Sequence, residues 1–538
     1  SISNEQFAER SNSNVLTSLA GQIAGVQIQQ TQGAPGTAPT IKVRGTSTVN
    51  AGSVPLYVVD GFPMENFDLG TLNPNDIQSI EILKDASSAA IYGSRGANGV
   101  IMITTKIGKA HETKIEASYE LGIQSVERTV DVMNSQEFIQ FYVDAHNNSW
   151  VQAGGNPSDP NSVRGYSFRI PQEFIDSPES FETTDWQDVV FRTAFTNNYQ
   201  LAVSGGTDKT VFRISSGILD QDGVVDNSTY RRLNIRSNIS HQVLDNLKVG
   251  LNMDFSRINK SIYGNGGKED CVSLAQTNDP IFPIVNERGT YSFLDTTSEW
   301  NRFAGYSLQL WHPYAITRET EKKDNALNAI TSAFLEWKII KDLTFRTSIN
   351  ATLNDSHNTS FRNEGQNWGW SSWQIAQGTD NSSNTFNWLF ENTLNYQHTF
   401  GAHSLNALLG YSTQKNQYHR TYLTSQDFPN NMIHTLNAGK PSSGGSTEEE
   451  WAMISYIGRL NYSYDNRYLL TATIRRDGCS RFGHNSLWGY FPSASFAWKL
   501  DEESFMDNVK WISSAKVRAS YGVTGNNQIS NYGAIGLL

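Results

Sequence analysis

Near residue 114 the spacing of apolar residues along the chain changes character. Downstream, Ile115, Ala117, Tyr119, Leu121 and Ile123 alternate with Glu116, Ser118, Glu120 and Gln124 in a strict period of two. The alternation returns in LKVGLNMDFS, where Leu247, Val249, Leu251, Met253 and Phe255 oppose Lys248, Asn252, Asp254 and Ser256. It returns again in LTFRTSINATL, where Leu343, Phe345 and Ile349 oppose Thr344, Arg346, Ser348 and Asn350. Successive side chains of a strand point to opposite faces, so each run predicts a strand with one apolar and one polar face. About thirteen such strands are expected, near residues 115, 199, 211, 232, 247, 330, 343, 386, 404, 453, 468, 491 and 515. Runs of about ten residues suffice to cross a bilayer when tilted.

The connections separate a barrel from a soluble sandwich, whose strands also alternate. Tight turns are expected at Gly205 to Lys209, Gln242 to Asn246, Lys341 with Asp342, Phe400 to His403 and Asp465 to Arg467. Long segments span 125–198, 257–329, 354–385 and 413–452. The tight turns thus fall at every second connection. An up-and-down barrel sends alternate connections to opposite rims, giving one rim of short turns and one of long loops.

Residues 1–110 read differently. Ser1 to Gly36 is polar and Gln-rich, with an amphipathic piece running through Val15, Leu16, Leu19, Ile23 and Val26. The stretch from Asp76 to Lys109 predicts a strand, a short helix capped by Asp85, a bend at Gly93, Gly96 and Gly99, and a strand from Val100. Glycines spaced G-x-x-G-x-x-G invite a phosphate-binding reading. That chemistry needs them between a strand and the helix they open, and here the helix comes first, so the bend is structural. One α/β unit over 1–110 followed by a β-unit over 111–538 is expected.

Composition narrows the function. A net charge of −11, from 42 basic and 53 acidic residues, argues against a nucleic-acid binder. No run of 18 apolar residues marks a membrane helix, whereas 38% hydrophobic and 11% aromatic residues still suit a membrane β-barrel. Ser1 begins without the basic start and apolar core of a signal peptide, which for an exported protein means a processed or trimmed N-terminus. Cys271 and Cys479 match no metal spacing and admit either a long-range disulfide or two free thiols. Ser94 and Ser204 lie outside any G-x-S-x-G elbow, and the ten histidines show no H-E-x-x-H spacing. The acidic runs Asp501 to Glu503 and Glu448 to Glu450 read as solvated loop ends. No catalytic residue, metal or cofactor is expected. Rings in the long loops, Trp150, Trp300, Trp311, Trp368, Trp370 and Trp373, are candidates to stack on a sugar, against the simpler role of packing the loops.

Three stretches in order, IKVRGTST at Ile41 to Thr48, PLYVVDGFP at Pro55 to Pro63 and DIQSIEILKDASSAAIYGSRGANGVIMITTKIGK at Asp76 to Lys109, resemble the plug domain of SusC/RagA-type TonB-linked outer-membrane transporters. Asn197 to Val225, Arg475 to Leu500 and Ser520 to Tyr532 extend the resemblance, with Cys479 standing where the family usually has Ser. The resemblance implies a transmembrane antiparallel β-barrel with an N-terminal α/β plug domain inside it. The barrel would close with twenty-two strands, so this chain would hold only the first thirteen or so. It also implies TonB-driven import of a large nutrient across the bacterial outer membrane beneath a SusD-like surface lipoprotein. Oligosaccharides are the commonest cargo and peptides the main alternative. The TonB-binding box and the small β-sandwich extension ahead of it are not seen, so TonB would pull on a segment before Ser1. Within the plug, Phe62, Asn66 and Phe67 are candidates to face the ligand. Arg44, Asp60, Gly61, Gly93, Arg95, Gly96 and Gly99 carry the signature and are candidates for gating, with Arg44 and Arg95 expected to form ion pairs to the wall. A surface carbohydrate-active enzyme and a receptor that binds without transporting are the rival readings.

Overall fold

The computed structural model describes residues 2–3, 15–45, 48, 51–263, 270–285, 289, 291, 311–364, 375–506 and 511–534. Its N-terminal unit contains, in chain order, β1 (Ile2–Ser3), β2 (Val26–Gln29), β3 (Thr40–Val43), β4 (Leu56–Val59), β5 (Phe62–Met64), β6 (Ile77–Leu83) and β7 (Val100–Thr105). Five of these form a mixed sheet in the order β1, β6, β7, β4, β5, with β4 and β7 parallel. The strands β2 and β3 make a separate antiparallel ribbon. Every residue of β4 is buried. Tyr57 and Val59 pack with Ile77, Ile80, Ile101 and Ile103, while Leu56 and Val58 pack with Ala89 and Val100 on the other face. A strand covered on both sides has no use for alternation, hence LYVV.

The remaining strands form one antiparallel sheet in which each pairs with its sequence neighbours. They are β8 (Lys114–Gln124), β9 (Ala194–Gly206), β10 (Thr210–Asp222), β11 (Thr229–Leu244), β12 (Leu247–Ser261), β13 (Thr320–Ile340), β14 (Leu343–Arg362), β15 (Gln377–Phe400), β16 (His403–Gln426), β17 (Lys440–Tyr464), β18 (Tyr468–Cys479), β19 (Trp488–Lys499) and β20 (Lys516–Gly522). These thirteen strands stand at or beside the places that the alternation marks.

Their lengths differ from expectation. Strands β13 to β17 run 20 to 25 residues, twice the anticipated ten, and the loops between them shrink accordingly. The excess lies at the loop end, in stretches such as QGTDNSSNT and KPSSGGSTEEE that are polar on both faces. Ladder hydrogen bonds continue there after the apolar face has ended, so periodicity marks only the half that needs an apolar solvent. Turns at 207–209, 245–246, 341–342, 401–402 and 465–467 share one rim. The connection 500–515 breaks the rule, being longer than 480–487 on the opposite rim.

The sheet is apolar outside and polar inside. Leu409, Ile349, Ile474 and Tyr456 point outward and are exposed, whereas Arg232, Asn234, Arg236, Asn350, Gln414, Arg475 and Asp477 point inward and are buried. Two belts of rings bound the apolar band. At the short-turn rim Tyr396, His398, Phe400 and His403 stack in succession, continuing through Tyr464, Tyr468 and Trp498. Farther along, Tyr411, Tyr456 and Trp488 form a second belt. Tyr456 and Tyr464 stand eight residues apart on β17, and Trp488 and Trp498 ten apart on β19. At about 3.3 Å per residue and a tilt of roughly 40°, that separates the belts by roughly 20 to 25 Å, the height of a barrel's apolar band. No helix among the described residues is long and apolar enough to cross a membrane.

Beyond the second belt, 125–193 and the described residues of 262–319 condense into a helical cap with its own core of Phe138, Tyr142, Phe174, Trp186, Cys271, Leu274 and Ile316. Its longest helix, Ser135–Gln152, opens with a capping box between Asn134 and Glu137. Cys271 and Cys479 are both buried free thiols, so no disulfide joins them.

Candidate functional site

The β4–β5 hairpin sets the site. Its two-residue turn places Asp60 at φ 50° and Gly61 at φ 91°, the left-handed pair that a tight hairpin of Asp-Gly sequence favours. The Asp60 carboxylate accepts from the Thr105 amide at 2.9 Å and the Thr105 hydroxyl at 2.7 Å. From the wall, the Arg236 guanidinium on β11 reaches Asp60 at 2.6 Å and Asp254 on β12 at 3.0 Å. After β5 the chain turns at Asn66 (φ 52°) into a loop held against β11, where Arg232 donates to the Gly70 carbonyl at 2.6 Å and Asn234 to the Thr71 carbonyl at 2.7 Å.

This loop forms the floor of a cavity of about 360 Å³. Glu65, Asn66, Phe67 and Asp68 face Asn328, Ile330, Asn354, Asn387, Asn416, Tyr418, Trp451, Arg481 and Asn531 across it. Its charges are mostly matched. Arg481 pairs with Glu65 at 2.7 Å and lies over the Trp451 ring, 4.4 Å from its centroid. Asp68 accepts from the Gly70 amide at 2.8 Å. What the walls present is therefore carboxamides, which donate and accept equally, and rings.

The glycine bend lies against β18. Gly93 has φ 56°, and a Cβ there would stand 2.2 Å from an Asp477 carboxylate oxygen, so both conformation and space demand glycine. Gly96 passes close to the Ala89 carbonyl, and Gly99 closes the bend against Val43. The Ser94 amide donates to Asp477 at 2.8 Å, and Arg475 joins Asp477 at 2.7 Å and the Ile91 carbonyl at 2.6 Å. Burial, and then the neighbouring Arg475, push the Arg95 guanidinium down to about 10.

Several sequence expectations change here. Phe62 does not line the cavity: it is 2% exposed, because β5 turns it into the sheet core with Met64 and Tyr57. Among the described residues Arg44 forms no ion pair to the wall but meets Asp85 of its own unit, and with that carboxylate engaged Asp85 caps its helix without a side-chain bond. Arg95 reaches the wall through the Gln414 amide, not a carboxylate. Trp150 packs within its loop, donating to Asp159 at 2.9 Å, and Trp311 packs against the cap core. Trp300, Trp368, Trp370 and Trp373 lie outside the described residues. Asn66 and Phe67 do line the cavity. Sequence reasoning missed Tyr418 and Trp451, which stand in strands instead of loops, and Arg481 and Asn531, whose only signal was their place in the stretches Arg475 to Leu500 and Ser520 to Tyr532.

Comparison with known proteins adds an independent line. The family described as TonB-dependent Receptor Plug Domain matches residues 1–100. TonB-dependent receptor P3 of Formosa agariphila is 34% identical over 96% of this chain and 48% of its own length. TonB-dependent receptor SusC of Bacteroides thetaiotaomicron is 28% identical over 98% of this chain and 52% of its own length. The chain thus spans about half the length of the curated relatives it matches. Among solved structures, the RagAB peptide importer in its open-open state is 25% identical with a TM-score of 0.83, over 99% of this chain and 60% of that one. The relatives are named receptors and importers, not enzymes. With its plug match, its inside-out sheet and these relatives, the chain belongs to the SusC/RagA type of TonB-dependent receptors.

Proposed function

We propose that residues 1–110 are the plug and 111–538 the first thirteen strands of a barrel closing with twenty-two, in a transporter of the outer membrane. The transporter takes up a large nutrient beneath a SusD-like lipoprotein, and TonB supplies the pull that displaces the plug. Neutral oligosaccharides are the preferred cargo. The observation that carries this is the lining of the cavity: Asn66, Asn328, Asn354, Asn387 and Asn416 beside Phe67, Tyr418 and Trp451, with Glu65 and Arg481 matched to one another. Carboxamides bond hydroxyls in either sense, and rings take the apolar face of a sugar. No covalent step is involved.

A peptide cargo is the second reading, favoured by the likeness to a structure described as a peptide importer and by the ability of carboxamides to bond peptide groups. Calorimetric titration of the full-length protein with its lipoprotein, against neutral oligosaccharides and against unrelated peptides, separates the two. Tyr418→Ala, which removes a half-buried ring of the lining, is expected to weaken oligosaccharide binding about tenfold, or ~1.4 kcal/mol. Binding of peptides alone would overturn the oligosaccharide reading and leave import standing.

A further inference from the structure

After β20 the chain leaves the wall and runs into the lumen as VTGNNQISN, residues 523–531. There it touches two things at once. Toward the bend, the Gly525 amide donates to the Gly93 carbonyl at 3.0 Å and the Asn527 amide to the Ser94 carbonyl at 2.9 Å, while the Gly525 carbonyl accepts from the Ala97 amide at 3.2 Å. Toward the cavity, Asn527 donates to Glu65 at 2.9 Å, and its carbonyl accepts from Arg481 at 3.0 Å. Asn531 bonds Arg481 at 2.8 Å. Glu65, Arg481 and Asn531 all line the cavity.

We propose that residues 523–531 form a latch by which the wall reads the cavity and holds the glycine bend: a ligand that moves Arg481 or Asn531 frees Asn527, and with it the contacts on Gly93, Ser94 and Ala97. Asn527 is the positioning residue. It is fully buried, yet its side-chain oxygen has no hydrogen-bond partner among the described residues. The Cys479 sulfur lies beside that side chain and takes a hydrogen bond from its amide. Sulfur is a weak acceptor, so a hydroxyl oxygen at position 479 holds Asn527 more firmly.

The inference rests on the cavity being the ligand site, but not on what the ligand is. In full-length protein, Asn416→Cys is alkylated with a bulky aromatic maleimide to fill the cavity, the buried native thiols staying unreacted. Gln417→Cys, on the outward face one residue away, is the control. Amide hydrogen exchange is then read by mass spectrometry. Filling the cavity is expected to speed exchange severalfold at Ala97, Gly525 and Asn527, whose amides donate the latch bonds, and to leave Val58 and Ile103 of the plug sheet unchanged, with no effect from the control label. Cys479→Ser, a conservative change, is expected to slow exchange at the same three amides. Unchanged exchange on filling, an equal rise throughout the plug, or faster exchange in Cys479→Ser would each overturn the latch. None of these outcomes bears on which cargo binds, which the calorimetric titration decides separately.

Discussion

At Gly93 three demands meet on one atom position: a left-handed backbone, the Asp477 carboxylate and the Arg475 side chain. Gly93→Ala is expected to unseat the bend at a cost above ~1 kcal/mol, seen as faster proteolysis of the plug in full-length protein with the barrel intact. Asp477 is fully buried, with Arg475 bonded to it and Arg95 nearby. Removing its charge strands buried guanidinium groups, so Asp477→Asn should cost roughly 3 to 5 kcal/mol, measured as a lowered urea midpoint for plug release. The sequence showed that glycines were required here, because a spacing of three after a helix is a bend. It could not show why, since the reason is a carboxylate 384 positions away. Arg44 and Arg95 illustrate the same limit. Charge alone suggested wall partners for both, yet one found Asp85 beside it and the other an amide.

Among the elements, the strands were legible wherever lipid demands a period of two, as in β8, β12 and the first half of β14. They were not legible where β15 and β17 continue past the apolar band with polar residues on both faces. The cap was invisible too, since its helices are held by a core assembled from two segments that stand about seventy residues apart in the chain. One group in that cap makes it sensitive to acid. His312 is 3% exposed, accepts from the Ala315 amide at 3.1 Å and donates to the Ile284 carbonyl at 3.0 Å, and burial pushes its imidazole down to about 4. In the unfolded cap it would titrate near 6.5, so below that pH the unfolded state binds the extra proton. The cap's stability is thus complete above pH 6.5 and falls progressively toward pH 4, by an amount on the order of 3 kcal/mol. Burial lowers His146 in the same cap and in the same sense. Hydrogen exchange across Ser135–Gln152 and Cys271–Thr277 is expected to quicken over that window and to lose much of its pH dependence in His312→Gln.

For the whole molecule, the outer-membrane reading proposed above puts the membrane between the two ring belts. Leu409 and His419 stand on the same outward face of β16, Leu409 within the apolar band and His419 beyond Tyr411. A spin label at Leu409→Cys should report an oxygen-rich apolar surrounding and one at His419→Cys an aqueous one; equal environments would misplace the band. Under the proposed function, such a wall, with long polar extensions and a plug anchored against it, captures a ligand on one side and releases it to the other. The central claim is that this release is driven by TonB. It is tested most directly by accumulation of a labelled neutral oligosaccharide in cells carrying the full-length protein, with and without TonB. Without TonB, surface binding should persist and accumulation should cease; accumulation that continues without TonB would contradict the account.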